Sequence, residues 1–314
     1  MPVYPSVAAD ASCTGQSCAC RARTPRYPSD LTDEQWTVLE PEARAAMLRL
    51  VRASGRPMVH ELRAMVDAVG YVTRYGIEWR ALPSDFPPYQ AVYAFFQRWS
   101  GRGLPLQLVD ALRARIRIAH GRTPQPSAGS IDSQSVKAAD TVGAASRGYD
   151  GGKKINGRKR HIAVDTLGLL LAVTVTAASV QDRDGAGPLL ALLRERFATI
   201  KLVWADGGYA GRLIIWATSA LQLAVTVIKR SDDANGFVVL PRRWVVERTF
   251  GWLLRHRRLV RDYERRPDHH EAMVLWASVS IMTRQLTRAL AGQPPAARWG
   301  HSRQSPTPPA AQAA

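Results

Sequence analysis

The chain has few cysteines and no long apolar run, and both shortages limit what it can be. Its three cysteines, Cys13, Cys18 and Cys20, form an odd set with no histidine nearby, which argues against a disulfide framework and leaves a zinc site one ligand short. The longest apolar stretch, residues 167–178, is shorter than the roughly 20 residues of a membrane-spanning helix. The first ten residues lack the basic segment and apolar core of a secretory signal, so we expect a cytoplasmic protein.

Acidic residues are scarce relative to basic ones. In 314 residues, 26 Asp and Glu stand against 43 Lys and Arg, which gives a formal net charge of +17. An excess of this size indicates a polyanionic partner such as DNA, RNA or an anionic membrane surface, with a merely soluble basic protein as the alternative. Apolar residues make up 46% of the chain, which is enough for a sizeable core.

Changes in composition divide the chain into five parts. Residues 1–27 and 290–314 are rich in proline and small residues and are expected to be disordered. Residues 122–129 carry two prolines and no apolar anchor, so they are expected to link two domains. The predicted domains are a helical one over residues 28–121 and a catalytic one over residues 130–289.

The first domain shows apolar residues at helical spacing behind a capping-box pattern, Thr32 followed by Gln35. Short helices joined by tight turns in a basic bundle favour a helix-turn-helix-like DNA reader, and a dimerisation bundle is the alternative. Four aromatic residues at helical spacing are expected in its core rather than stacked on bases: Tyr89, Tyr93, Phe96 and Trp99.

The second domain changes to the alternation of strands. Its pattern predicts the order β-β-β-α-β-α-β-α, with a hairpin over residues 161–176 and a last helix over residues 245–259. Two hairpin-linked strands followed by α/β crossovers predict an α/β fold, a mixed sheet with helices on its faces. Chemistry in such sheets gathers at the ends of strands.

Three acids stand where packing explains them poorly. Asp206 ends the apolar run 200–205 and precedes two glycines, and a carboxylate at the end of a buried strand costs free energy unless it is paired or binds a metal. Asp132 lies on the first strand and Glu247 on the last helix, so all three are expected at one edge of the sheet. Such oxygen ligands favour Mg²⁺ or Mn²⁺, and two such ions can serve phosphodiester chemistry.

Each acid also has a simpler explanation. Asp132 could cap a turn, Asp206 could cap the helix that follows it, and Glu247 could pair with Arg243 one helical turn back. Asp165, just before a turn, is a rival for a place in the site, and a turn-forming role is its simpler explanation.

Two basic segments are expected to contact a nucleic-acid backbone. The helix around Glu247 carries many more arginines than acids, and the glycine-rich stretch 148–160 is expected to be a mobile connection that closes over the nucleic acid. The candidate contact residues are Arg243, Arg248, Arg255, Arg257, Arg258, Lys153, Lys154, Arg158, Lys159 and Arg160.

Three ordered segments, residues 130–137, 203–209 and 243–254, together resemble the acidic motifs of bacterial insertion-sequence transposases. These are Asp-Asp-Glu enzymes with an RNase H-like core, and the likeness is to the insertion-sequence group five type. The stretch 31–36 is similar to that family's helical N-terminal domain. The resemblance covers roughly residues 28–286 and is specific because the motifs occur together and in order.

The resemblance implies that Asp132, Asp206 and Glu247 form a catalytic triad that binds two Mg²⁺ ions, with Mn²⁺ as a substitute. It implies a DNA transposase of the bacterial nucleoid, which acts on double-stranded DNA at terminal inverted repeats and at a target, as a homodimer in the DNA complex. Arg243 matches the family's basic residue four before the glutamate. The family's tyrosine would fall at Leu240 and its lysine at Leu254, so the chain departs from the family at both positions. Arg255 or Arg257 could replace the lysine.

Two other functions stay open at this level. A structure-specific nuclease on the same fold would cut DNA without joining it. A DNA-binding regulator with an inactive core would bind the repeats and never cut. The sequence does not give the repeat, the target preference or the route of transposition.

Overall fold

The computed structural model describes residues 23–49, 58–228 and 241–293, except for the side chains of residues 241–243. The predicted leader and tail, the cysteines and the family's tyrosine position therefore lie almost wholly outside the described residues. The helices are α1 (Asp33–Leu48), α2 (Leu62–Tyr75), α3 (Tyr89–Gly101), α4 (Leu104–Ala119), α5 (Asp182–Arg196), α6 (Arg212–Leu221), α7 (Pro241–Leu253) and α8 (Pro267–Leu290). The strands are β1 (Ala128–Lys137), β2 (Gly148–Asp150), β3 (Ile155–Asp165), β4 (Leu170–Ala177), β5 (Leu202–Ala205) and β6 (Ala224–Val227).

The N-terminal helices pack around α8, which the sequence did not predict as a helix. The capping box that starts α1 is confirmed, because the backbone N–H of Gln35 donates to the Thr32 hydroxyl and the N–H of Thr32 donates to the Gln35 side chain. Of the four aromatic residues expected in the core, Phe96 and Trp99 are almost fully buried and Tyr93 packs against the core, whereas Tyr89 is only half-buried and lies outside it. Helix α8 contacts α1, α2 and α4 on one side and β4 on the other, so it joins the helices to the sheet.

The sheet is mixed, and the predicted order of elements is confirmed, with β2 and α8 added. Strand β3 pairs antiparallel with β1 on one side and with β2 and β4 on the other. Strand β1 also pairs parallel with β5, which pairs parallel with β6. Helices α5 and α6 cover one face of the sheet, while α7 lies against β1, β3 and β5. The five-part division of the chain stays a prediction.

The stretch 148–160 is not the mobile connection that its glycines suggested. It forms β2, a turn and the first half of β3. A Cβ at Gly157 would lie 2.0 Å from the carbonyl oxygen of Val136, so this glycine allows β3 to approach β1 closely. The glycine is therefore explained by strand packing rather than by flexibility.

Asp165 serves the turn between β3 and β4, which was its simpler explanation. Its carboxylate accepts hydrogen bonds from the backbone N–H groups of Leu167 and Leu169, both at 2.9 Å. The same buried carboxylate lies 2.6 Å from the guanidinium of Arg117, so it also ties α4 to the sheet. Because it is fully committed to these partners, Asp165 is not a component of the site.

Helix α5 packs so closely on the sheet that one of its glycines is required. A Cβ at Gly185 would lie 2.1 Å from Cε1 of the buried His161 ring, whereas a Cβ at Gly187 would meet nothing within 4 Å. We expect Gly185→Ala to lower the free energy of unfolding by about 1–3 kcal/mol, through overpacking. Gly187→Ala is the control and should raise it by up to about 1 kcal/mol, through helix propensity. Urea unfolding of both variants checks this, and equal stabilities would contradict the packing.

Candidate functional site

The strand register places two of the three predicted acids side by side. Strands β1 and β5 run parallel, with Gly129 opposite Val203 and Ser130 opposite Trp204. If this register is extended by two residues beyond the last pair, Asp132 comes opposite Asp206, which directly follows β5. Adjacent strands lie about 4.8 Å apart, so we infer that the backbones of these two aspartates are neighbours across the sheet.

Side-chain alternation directs the same two acids toward α7. Ile131 and Ala205, next to them in sequence, are buried among residues of α5 and α6. Because successive side chains of a strand point to opposite faces, Asp132 and the position after Ala205 face the other side of the sheet, where α7 lies. Helix α7 carries Glu247, so the fold brings all three acids to one face.

A cavity of about 450 Å³ lies between this face and α7. Asp132 and Glu247 are both among its lining residues, and Asp206 is not. The complete lining is Asp132, Ser133, Gln134, Ser135, Lys153, Ile155, Glu247 and Phe250. The cavity is thus an open cleft, lined mostly by polar residues, that two predicted catalytic acids share.

Asp206 also caps the short turn that follows it. Its Oδ1 accepts a hydrogen bond of 2.8 Å from the backbone N–H of Gly208, at the start of a 3-10 turn over Gly207–Tyr209. The capping role that the sequence left as the simpler explanation is therefore real. A Cβ at Gly207 would meet nothing within 4 Å, so packing within the protein does not require glycine there.

The acids offer the ligand chemistry that a hard divalent cation needs, because carboxylate oxygens are its preferred donors. Within the described ranges, no three Asp, Glu, His or Cys side chains are grouped closely enough to hold a metal ion together. The carboxylates of Asp132, Asp206 and Glu247 therefore have the right chemistry and the same face of the sheet for Mg²⁺. In the described structure they stand further apart than the ligands of one bound ion.

Tyr209 is a member of the site that the sequence did not predict. Its side chain is almost fully buried in the core formed with α5 and α6. Burial raises the pKa of its hydroxyl, and the negative charges of Asp132 and Asp182 raise it further, so the group stays protonated and can donate a hydrogen bond. Its position directly after Asp206 and two glycines is the sequence feature from which its place in the site could have been predicted.

Three of the predicted DNA contacts are wrong. Arg158, Lys159 and Arg160 lie on β3 with at most 5% of their surface exposed, so no external backbone reaches them. Arg158 lies 2.9 Å from the carboxylate of Asp262, and Lys159 lies 2.7 Å from that of Asp182. Arg160 donates to a backbone carbonyl in the turn after α7. Their charges are used inside the fold, which is why burial is tolerated.

Two arginines near Glu247 also have partners within the protein. Arg258 is buried and lies 2.7 Å from the carboxylate of Glu264, so its predicted DNA contact is wrong as well. Arg248 is half-buried, donates to the carbonyl of Leu167 at 2.8 Å and stacks over the ring of Trp252. Its DNA contact stays a prediction.

The remaining predicted contacts stand at the surface. Lys153 and Lys154 are exposed in the turn between β2 and β3, and Arg255 and Arg257 are exposed just after α7. The side chain of Arg243 lies outside the described residues. Of the predicted contacts that the structure describes, these four are the exposed ones and can meet a polyanion.

Arginines from distant parts of the chain enlarge the positive surface after α7. Arg74 donates to the backbone carbonyl of Arg255. Burial lowers the pKa of Arg284, and the positive charges of Arg74 and Arg288 lower it further, which shows that the three guanidinium groups lie near one another. No sequence pattern signals this cluster, because only the packing of α2, α7 and α8 brings its members together.

Known proteins resemble both parts of the chain. Residues 123–282 match the family described as "Transposase DDE domain", and residues 31–109 match the one described as "Putative transposase of IS4/5 family". A "Putative transposase for insertion sequence element IS402" of Burkholderia cepacia is 33% identical over 140 residues, which cover 42% of this chain. The alignment spans 66% of that relative, just under two thirds of its length. No solved structure shows a significant match.

Proposed function

Since the chain belongs to the transposase DDE domain family, we propose that it is the DNA transposase of an insertion sequence, which cuts DNA at the ends of its element and joins them to a target. The observation that carries this proposal is the common face of the three acids. Parallel strands set Asp132 beside Asp206, and Glu247 lines the same cavity as Asp132. Chemistry on DNA is also what the net charge of +17 favours.

The sheet supports an RNase H-like core as part of the same proposal. Antiparallel strands lie on one side of β1 and parallel strands, connected through α5 and α6, lie on the other. In an open sheet with such crossovers, a site forms where strands end. Asp206 is at such an end, and Asp132 is on the central strand next to it.

The triad Asp132, Asp206 and Glu247 would hold two Mg²⁺ ions, or Mn²⁺. Such ions activate an attacking oxygen and stabilise the leaving oxygen of a phosphodiester. The protein's own residues supply position and access. The protonated hydroxyl of Tyr209 lies close enough to both aspartates to feel their charges, and Gly207 adds no side chain beside them. Water would first free a 3′-hydroxyl at the element's end, and that hydroxyl would then attack the target strand in the same site.

The positive surfaces flank this cleft and support a duplex DNA partner. We assign backbone contacts to Lys153, Arg255 and Arg257, with Arg74 in the same surface as Arg255, and only a general attraction to the duplex to Lys154. The helices within residues 28–121 would bind the terminal inverted repeats, and a homodimer would bring the two ends together. The place of action would be the nucleoid of a bacterial cell, since that is where the DNA is.

A strand-transfer assay tests the proposal against its two alternatives. The substrate is the DNA that flanks the coding region on both sides, supplied intact or already nicked at the element's end, with a plasmid target and Mg²⁺. We expect cleavage of the intact ends and joining of the nicked ends. Cutting without joining would indicate a structure-specific nuclease, and binding without cutting would indicate a regulator with an inactive core.

A further inference from the structure

The turn between β2 and β3 is locked to the strand that carries Asp132. Oδ1 of Asp150 accepts hydrogen bonds from the backbone N–H groups of Gly152 and Lys153, both at 3.1 Å. Its Oδ2 accepts a hydrogen bond of 2.6 Å from the hydroxyl of Ser135, three residues after Asp132 on β1. One carboxylate therefore fixes both the shape of the turn and its place on the sheet.

The charge of Asp150 suits this role. Burial by itself would raise the pKa of its carboxyl, but the hydrogen bonds from Ser135 and Lys153 and the charge of Lys159 lower it to about 2. The carboxylate is therefore ionised at neutral pH, and charged acceptors make the stronger hydrogen bonds. A turn held in this way keeps its direction even though its residues are exposed.

The locked turn distinguishes two adjacent lysines. Lys153 lines the cavity that contains Asp132 and Glu247, and among the described residues that line it, Lys153 is the only cation. Lys154 has a left-handed backbone with φ of 54° and is not part of the lining. The backbone N–H of Lys153 donates to the Asp150 carboxylate, and the charge of the Lys153 ammonium also helps to lower the pKa of that carboxyl.

We propose that the Lys153 ammonium binds the phosphate at the point of cleavage, and that Asp150 is the positioning residue that holds Lys153 over the cavity. This inference rests on the proposed function, since it names how the same cleft grips its DNA. Negative charge on the transferring phosphate grows or is redistributed in the transition state, and a fixed cation at that place stabilises it. Lys154, with the same charge one residue away, would serve only general attraction to DNA.

The adjacent lysines make a matched pair of variants. Lys153→Ala and Lys154→Ala each remove one positive charge from the same exposed turn, so we expect similar, small losses of affinity for the flanking DNA and unchanged melting temperatures. At saturating DNA, Lys153→Ala should lower the single-turnover cleavage rate about 100-fold, a typical loss for one electrostatic contact in the transition state. Lys154→Ala should lower it less than about threefold. Lys153→Arg should restore part of the rate.

The role of Asp150 is tested through Lys153. Asp150→Ala should lower the cleavage rate and leave DNA affinity unchanged, whereas Asp150→Asn keeps an acceptor for the turn and should retain most of the rate. If Asp150 acts through Lys153, adding Asp150→Ala to Lys153→Ala should cause no further loss of rate. A fully additive loss would contradict the positioning role.

The outcomes separate this inference from the function beneath it. A wild-type protein that cuts the flanking DNA, with equal rates for the two lysine variants, would overturn the role of Lys153 alone. A loss confined to affinity in Lys153→Ala would do the same. A wild-type protein that never cuts DNA would overturn the proposed function, and the role of Lys153 with it.

Discussion

Replacement of Asp206 by asparagine, or of Glu247 by glutamine, is expected to abolish DNA cleavage and to leave binding to the element's ends intact. Each change removes a negative charge and keeps the size of the side chain. Asparagine caps a turn about as well as aspartate, so the 3-10 turn after β5 should persist. The loss should fall on metal binding, which supplies several kcal/mol of transition-state stabilisation, so the rate should drop at least about a hundredfold.

The measurement pairs a cleavage assay on labelled flanking DNA with a binding titration, both with Mg²⁺. Asp184→Asn is the control, because Asp184 is an exposed acid in the first turn of α5 and the chemical change is the same. It should cut DNA at the wild-type rate. Retained metal-dependent nicking by either Asp206→Asn or Glu247→Gln would remove that residue from the triad.

The acids could be predicted because their signal is local. Asp206 follows an apolar run and precedes two glycines, and this pattern alone indicates a strand end with an open approach. The spacing of apolar residues, period 2 for strands and period 3.6 for helices, then predicts the order of these elements. Because β1 and β5 pair in parallel, that order makes Asp132 and Asp206 neighbours. Glu247 was placed with them because it lies on the helix after the last strand, and the resemblance supported this placement, since the pattern alone does not say which face of the sheet that helix covers.

The burial of Arg158 could not be predicted because its partner is remote in sequence. Arg158 pairs with the carboxylate of Asp262, 104 residues later in the chain. Without knowledge of that partner, a strand rich in basic residues is interpreted as exposed to solvent. Helix α8 was missed for a related reason. It is enclosed by α1, α2, α4 and β4, so apolar residues occupy most of its circumference, and the single stripe typical of a surface helix is absent.

The network around Asp262 leads to the largest expected effect on stability. Its fully buried carboxylate lies 2.9 Å from Nη1 of Arg158 and 3.0 Å from Nδ1 of His270, and it accepts a hydrogen bond from the backbone N–H of Glu264. These contacts join β3, the segment after α7 and the start of α8. Burial alone would raise the pKa of Asp262, but the hydrogen bond and charge of His270, with Arg158, lower it below its usual value.

Asp262→Asn should therefore lower the free energy of unfolding by about 3–5 kcal/mol at pH 7, because it leaves the buried guanidinium of Arg158 without its counter-charge. Asp268→Asn is the control. Asp268 lies 2.6 Å from Arg266, closer than the buried pair, but both side chains are more than half exposed. Water screens such a pair, so its loss should hardly change stability. Urea unfolding measures both variants, and a loss in Asp262→Asn no larger than that in Asp268→Asn would contradict the argument.

The pH dependence gives the same interaction a second, independent measure. A carboxyl whose pKa is lower in the folded than in the unfolded protein stabilises the fold fully above its unfolded pKa, about 4 for aspartate. This contribution is lost as the pH falls through the lower, folded pKa. The difference in stability between wild type and Asp262→Asn should therefore shrink as the pH falls below about 4. If the difference in stability between the two proteins stayed constant down to the lowest pH, packing and not the charge of Asp262 would hold β3, the segment after α7 and α8 together.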